Sequence, residues 1–207
     1  MSKYRVRRFF RPAVYWVAGV CANAGLSPNQ VTLASLLSSL LASLLLALGH
    51  PVVYGLLVFL SGFLDGVDGA LARLTGKVTI FGGLFDSLAD RYSDVVAVMG
   101  FVFWREADGF HLVLPTDVWA VLAAAGFLMV SYVRARGEVE GVQLDVGLAA
   151  RSERLLILSI SSLLYPVHPY TPMVGLVVCC VASHLTAAYR VAVGLVKLKS
   201  APTCDVS

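Results

Sequence analysis

Charge is scarce in this chain. Only 14% of its 207 residues are Asp, Glu, Lys or Arg, 58% are hydrophobic, and the mean hydropathy is +0.79. That balance excludes an ordinary soluble domain, and a net charge of +3 is too small to point to nucleic acid. Cysteine is equally thin. Cys21, Cys179, Cys180 and Cys204 show neither metal-ligand nor disulfide spacing, so they read as reduced thiols in membrane or tail. The N-terminus lacks an apolar core followed by a cleavage site, so no removable signal peptide is expected. Repeats and low-complexity segments are also missing.

What the chain does have is apolar runs of roughly twenty residues, the length that crosses a bilayer as a helix. They predict an all-α polytopic membrane protein with six transmembrane helices, at 31–48, 52–73, 81–103, 116–135, 153–166 and 172–196. Residues 1–207 form one domain: an N-terminal interfacial amphipathic helix and turn (1–27), a six-helix bundle (28–199) and a tail (200–207). Lys3, Arg5, Arg7, Arg8 and Arg11 stand among Phe9, Phe10, Val14, Trp16 and Val17, which suits a helix lying on an anionic leaflet. Ser27, Pro28 and Asn29 then give helix-start chemistry ahead of the first apolar run. With the N-terminus in the cytosol, every Lys and Arg except Arg91 and Arg105 falls on the inner side. The positive-inside bias therefore predicts a multi-pass cell-membrane protein with both termini cytoplasmic. The outer connections, including His111 and His168, read as plain loops.

Against this apolar background, DGVDGALARLTGKVTIFGGLFDSLAD (65–90) stands out. Asp65 and Asp68 are three apart and Asp86 and Asp90 four apart, so each pair shares one face of its helix. At a rise of about 1.5 Å per residue, all four fall roughly 6–15 Å below the cytosolic boundary of the hydrocarbon core. An unpaired Asp there costs on the order of 2.5–3.5 kcal/mol. Two carboxylates about 5 Å apart repel by roughly 3 kcal/mol more at an effective dielectric of 20. Protons or metal ions must neutralise such a group. Hard oxygen donors with no His or Cys beside them favour Mg²⁺ or Mn²⁺ over zinc, and two divalent ions would balance the four charges. Gly66, Gly69, Ala70, Ala72, Gly82 and Gly83 keep the neighbouring surface thin. That suits either close helix packing, as in the Gly62–Gly66 pair, or a phosphate-bearing ligand held by Arg73.

The pattern D-x-x-D-G-x-x-A-R-x8-G-x-x-x-D-x-x-x-D, met here by Asp65, Asp68, Gly69, Ala72, Arg73, Gly82, Asp86 and Asp90, resembles that of the CDP-alcohol phosphotransferases. The SPNQVT segment and the six-span plan are similar too, so the resemblance covers nearly the whole chain. It implies a homodimeric enzyme of phospholipid biosynthesis, with its active site facing the cytoplasm and two Mg²⁺ or Mn²⁺ ions per site. Such an enzyme moves a phosphate-linked group from a CDP-lipid to an alcohol and releases CMP. By the resemblance Asp65 and Asp86 bridge two metals, Asp68 and Asp90 complete one site each, and Asp90 is also the catalytic proton acceptor. Asp68, Gly69, Ala72, Arg73, Thr79 and Gly82 would bind the CDP-lipid together with Pro28, Asn29, Gln30 and Val31. Two metals suit in-line displacement at a pyrophosphate, and a base beside the acceptor completes the step.

The connection SYVRARGEVEGVQLDVGLAARSERLLIL carries Arg134, Arg136, Arg151 and Arg154, with Arg190 at the cytosolic end of the last span. Arginines so concentrated suggest an anion pocket, hence an acceptor that already bears a phosphate. S-Y-x-[KR]-A-R followed by G-L-x-x-R-x-E-R is similar to the phosphatidylinositol-phosphate and archaetidylinositol-phosphate synthases, which implies inositol 1-phosphate held by Ser131, Arg134, Arg154 and Arg190. At Arg134 that branch often has lysine. Glycerol 3-phosphate is the second acceptor such a pocket suits. A cation transporter and a membrane scaffold are the readings from other classes, and Arg73 inside the motif speaks against a free cation path.

Overall fold

The computed structural model describes residues 5–104 and 113–200, and the side chains of 10–104 and 113–198. The basic side chains before Phe10, together with Arg105, His111, Lys199 and the tail carrying Cys204, lie outside the described residues. Seven helices follow one another: α1 (Arg5–Asn23), α2 (Pro28–Ala47), α3 (Pro51–Thr75), α4 (Ile80–Phe103), α5 (Thr116–Val139), α6 (Arg151–Leu163) and α7 (Thr171–Ser200). Among the described residues there is no strand.

The helix limits follow from local chemistry. Ser27 Oγ accepts the Gln30 N–H while Gln30 Oε1 accepts the Ser27 N–H, and Pro28 occupies the first helical position of α2. Pro51 opens α3 in the same way. Gly76 closes it at φ 66°, a left-handed conformation that a residue with a Cβ adopts only under strain. Thr79 caps α4 through the Gly82 N–H, and Glu153 reaches back to the Ala150 N–H at the start of α6.

Helices α2, α3, α5 and α7 are long and apolar enough to cross a membrane. The other two expected spans differ for identifiable reasons. Helix α4 has the length, but Asp86, Asp90, Arg91 and Asp94 interrupt its apolar surface. Helix α6 has 13 residues, about 20 Å of helix, so it spans less than the hydrocarbon core. Helix α1 does more than rest on a surface. Val14, Tyr15, Val17 and Ala18 pack on Val67, Ala70 and Leu71 of α3, and the Phe10 ring meets Phe59 edge-on with centroids 5.8 Å apart.

Helix α2 packs on α3 and α4, α5 on α4 and α7, and α6 between α3 and α7. Much of this contact is sealed by hydroxyls, as expected where lipid gives no hydrophobic drive between helices. Ser35 Oγ donates to Ser61 O (2.9 Å), Ser38 Oγ to Leu57 O (2.9 Å), Ser159 Oγ to Gly55 O (2.8 Å) and Tyr54 OH to Ala97 O (2.9 Å). At Gly100 a Cβ would stand 2.6 Å from Ser43 O, so the close approach of α4 to α2 requires glycine. The apolar core formed by Leu46, Tyr54, Phe101, Trp104, Phe127, Leu158 and Leu176 fills one end of the bundle. Leucines such as Leu37, Leu44, Leu56 and Leu185 stay exposed on the outside, where lipid would cover them. Cys21, Cys179 and Cys180 are free thiols, as their spacing predicts.

Candidate functional site

A cavity of about 1230 Å³ opens at the other end of the bundle. Its acidic wall is Asp65 and Asp68 from α3 with Asp86 and Asp90 from α4. Its basic wall is Arg134 from α5, Arg151 and Arg154 from α6 and Arg190 from α7, with Ser131 beside them. Helix α1 supplies Phe10, Arg11, Val14 and Tyr15.

One carboxylate oxygen from each of Asp65, Asp68 and Asp86 lies within 4.8 Å of the others, close enough for one ion to touch all three. Thr32 of α2 donates to Asp68 Oδ2 at 2.6 Å and fixes its rotamer. Asp90 stands slightly apart. Its Oδ1 is 2.7 Å from Arg151 Nη1, and Asp65 Oδ1 is 2.5 Å from the same nitrogen. Among the described lining residues there is no His or Cys. All-carboxylate donors already gathered around a cation fit a hard divalent ion. The four Asp residues thus occupy one place, Asp90 meeting Asp65 directly as well as through the Arg151 guanidinium.

The glycines divide by role. A Cβ at Gly62 would press on Leu155 (3.1 Å), and one at Gly66 would touch Val14 (3.5 Å), so both serve helix packing. At Gly69 a Cβ would meet only the Arg73 guanidinium (3.4 Å), and at Gly83 nothing. These two leave open space. Arg73 also bonds the Tyr15 hydroxyl and, with Arg11 above the Tyr15 ring, holds that phenol below its ordinary pKa. Of the expected CDP-lipid residues, Asp68, Gly69 and Arg73 line the cavity. Ala72, Thr79, Gly82 and Pro28–Val31 lie outside its lining. Val31 is a core residue against Val67 and Leu71. Asn29 Oδ1 lies 3.4 Å from where a Gly82 Cβ would stand, which brings the starts of α2 and α4 together.

On the basic wall every expected arginine already has a partner. Arg154 is 1% exposed, pairs with Asp94 Oδ2, donates to Ala149 O (3.2 Å) and lies 4.4 Å above the Phe127 ring. Arg190 donates to Val146 O (2.8 Å) and Val130 O (2.6 Å). Arg134 pairs with Glu138 (3.0 Å) and Asp145 (3.2 Å). Arg136 pairs with Glu140 and lies outside the cavity lining, so it is not part of the anion pocket the clustered arginines suggest.

Two residues escaped the sequence reading of the site. Asp94, 2% exposed, holds both Arg151 and Arg154. Its signal was present, since it continues the four-residue step of Asp86 and Asp90 by one more turn. In sequence Arg151 is one arginine among several, yet it contacts Asp65, Asp90 and Asp94 together.

The CDP-alcohol phosphatidyltransferase family model matches residues 25–195. The chain is 38% identical over 176 residues to the archaetidylinositol phosphate synthase of Pyrococcus horikoshii, covering 82% of this chain and 84% of that one. Its fold is similar to the crystal structure of Mycobacterium tuberculosis phosphatidylinositol phosphate synthase with CDP-DAG bound, at TM-score 0.75 and 28% identity over 87% of this chain and 92% of that one. The same enzyme in complex with manganese and citrate gives TM-score 0.77 at 27% identity, over 88% of each chain.

Proposed function

As this chain belongs to the CDP-alcohol phosphatidyltransferase family, we propose that it transfers the lipid phosphate group of a CDP-lipid to a hydroxyl of inositol 1-phosphate and releases CMP. The observation that carries this reading is a single cavity with a carboxylate wall facing an arginine wall. The first suits cations that screen a pyrophosphate, and the second suits an acceptor that brings its own phosphate. The similarity to enzymes named for inositol phosphate products, one of them solved both with CDP-DAG and with manganese and citrate, supports the choice.

Asp65, Asp68, Asp86 and Asp90 would hold two Mg²⁺ or Mn²⁺ ions, which supply positive charge for the pyrophosphate and the leaving CMP. Gly69 leaves room beside the backbone for the CDP phosphates, and Arg73 binds them. Ser131, Arg134, Arg154 and Arg190 orient the acceptor phosphate. The acceptor oxygen forms a bond to the lipid-side phosphorus as that phosphorus parts from the bridging oxygen, which leaves with CMP. Asp90 takes the proton of the attacking hydroxyl. Six crossings, with α4 and the short α6 joining α2, α3, α5 and α7, an α1 at the interface, a cytoplasm-facing site and cytoplasmic termini belong to the proposal and are supported by the one-sided distribution of Lys and Arg. A homodimer is added on the family resemblance alone.

Purified protein given CDP-lipid and Mg²⁺ is expected to release CMP when inositol 1-phosphate is added. No CMP with any alcohol acceptor would overturn the enzyme reading. CMP with glycerol 3-phosphate alone would overturn the acceptor.

A further inference from the structure

Arg151 occupies an awkward place for a cation. It is the first residue of α6, where the helix dipole is positive, and its side chain is only 16% exposed. Three carboxylates compensate. Nη1 bridges Asp65 (2.5 Å) and Asp90 (2.7 Å), and Nε lies 3.4 Å from Asp94 Oδ1. Two of these are residues that would hold divalent ions; the third is not. Asp94 is fixed independently by Arg154, one turn further along the same face of α6.

We infer that Arg151 is a built-in counter-cation that competes with divalent metal for Asp65 and Asp90 and, when metal binds, is left with Asp94. The inference rests on the reading that these carboxylates hold divalent ions. Its physical basis is charge balance. A guanidinium ion-paired with Asp65 and Asp90 keeps an acidic cluster tolerable inside an apolar bundle before metal arrives. Nη1 lies 2.5 Å from Asp65 Oδ1 and 2.7 Å from Asp90 Oδ1, so a divalent ion seated on the same two carboxylates would meet a like charge at close range. Arg151 therefore yields its hold on them when metal binds. The spare carboxylate of Asp94 makes yielding possible, because the guanidinium keeps one buried anion throughout.

The competing view is that Arg151 preorganises Asp65 and Asp90 for metal, and the two views predict opposite signs. Mn²⁺ binding to full-length protein in detergent, followed by electron paramagnetic resonance, should be at least about tenfold tighter in Arg151→Gln than in wild type. The rise in melting temperature on adding Mn²⁺ should also be larger in the variant. An unchanged or weaker Mn²⁺ affinity overturns the inference while leaving metal binding intact. Wild type that binds no Mn²⁺ overturns the metal reading and this inference together. Should Arg151→Gln not fold, wild type alone gives the answer. Phenylglyoxal labelling of Arg151, located by peptide mass spectrometry, should increase when Mn²⁺ is present, and labelling that stays level or falls contradicts the inference.

Discussion

Asp90→Asn is expected to lower CMP release by about a thousandfold or more, the scale on which a positioned general base operates. The substitution is nearly isosteric and keeps an oxygen toward the cavity, so the bundle should hold. The other acidic residues, Asp65, Asp68 and Asp86, converge without Asp90, each offering an oxygen within 4.8 Å of the others. CDP-lipid binding, measured by titration with the nucleotide lipid in the presence of Mg²⁺, should therefore survive largely intact. This separation of binding from turnover is what identifies a base. An Asp90→Asn protein that turns over at the wild-type rate would remove Asp90 from that role, and one that loses donor binding along with turnover would make it chiefly a metal ligand.

The second large effect is expected at Arg154. Hydrogen bonds to charged groups contribute about 1.5–3 kcal/mol, so losing one to the acceptor phosphate corresponds to roughly ten- to a hundredfold in affinity. Arg154→Gln should raise the KM for inositol 1-phosphate by that factor and leave the KM for CDP-lipid nearly unchanged. The buried geometry adds a condition. Arg154 pairs with Asp94 and stacks on Phe127, so its removal also loosens α6 against α4 and α5. Arg154→Lys keeps the charge without the planar fork, and it should recover stability more fully than acceptor affinity. Equal rises in both KM values would assign Arg154 to the scaffold alone.

The parts of this site legible in the sequence were those with a local period. The steps of three and four between Asp65 and Asp68, and between Asp86 and Asp90, fix shared helix faces whatever the tertiary packing. The start of α2 was legible too, because Ser27 and Pro28 act on the backbone within one turn. What stayed hidden depends on helices far apart in the chain. Asp94 meets Arg154 across 60 positions, and Thr32 meets Asp68 across 36. No spacing rule reaches that distance. The arginines of the connection after α5 looked equivalent in sequence, yet the fold sends Arg136 to Glu140 and Arg151 into the acidic cluster. The sequence of α1 predicts a surface-lying segment. Its amphipathic pattern could not distinguish a lipid surface from the side of α3, and its inner face proved to be a wall of the cavity.

Everything proposed for this chain rests on the four motif aspartates accepting divalent cations in common. The most direct test is a crystal soaked in Mn²⁺ and measured at a wavelength where manganese scatters anomalously. Two anomalous peaks, both in contact with carboxylates of Asp65, Asp68, Asp86 and Asp90, are the predicted result. A map with no peak among these side chains, from crystals grown without chelator, would contradict it.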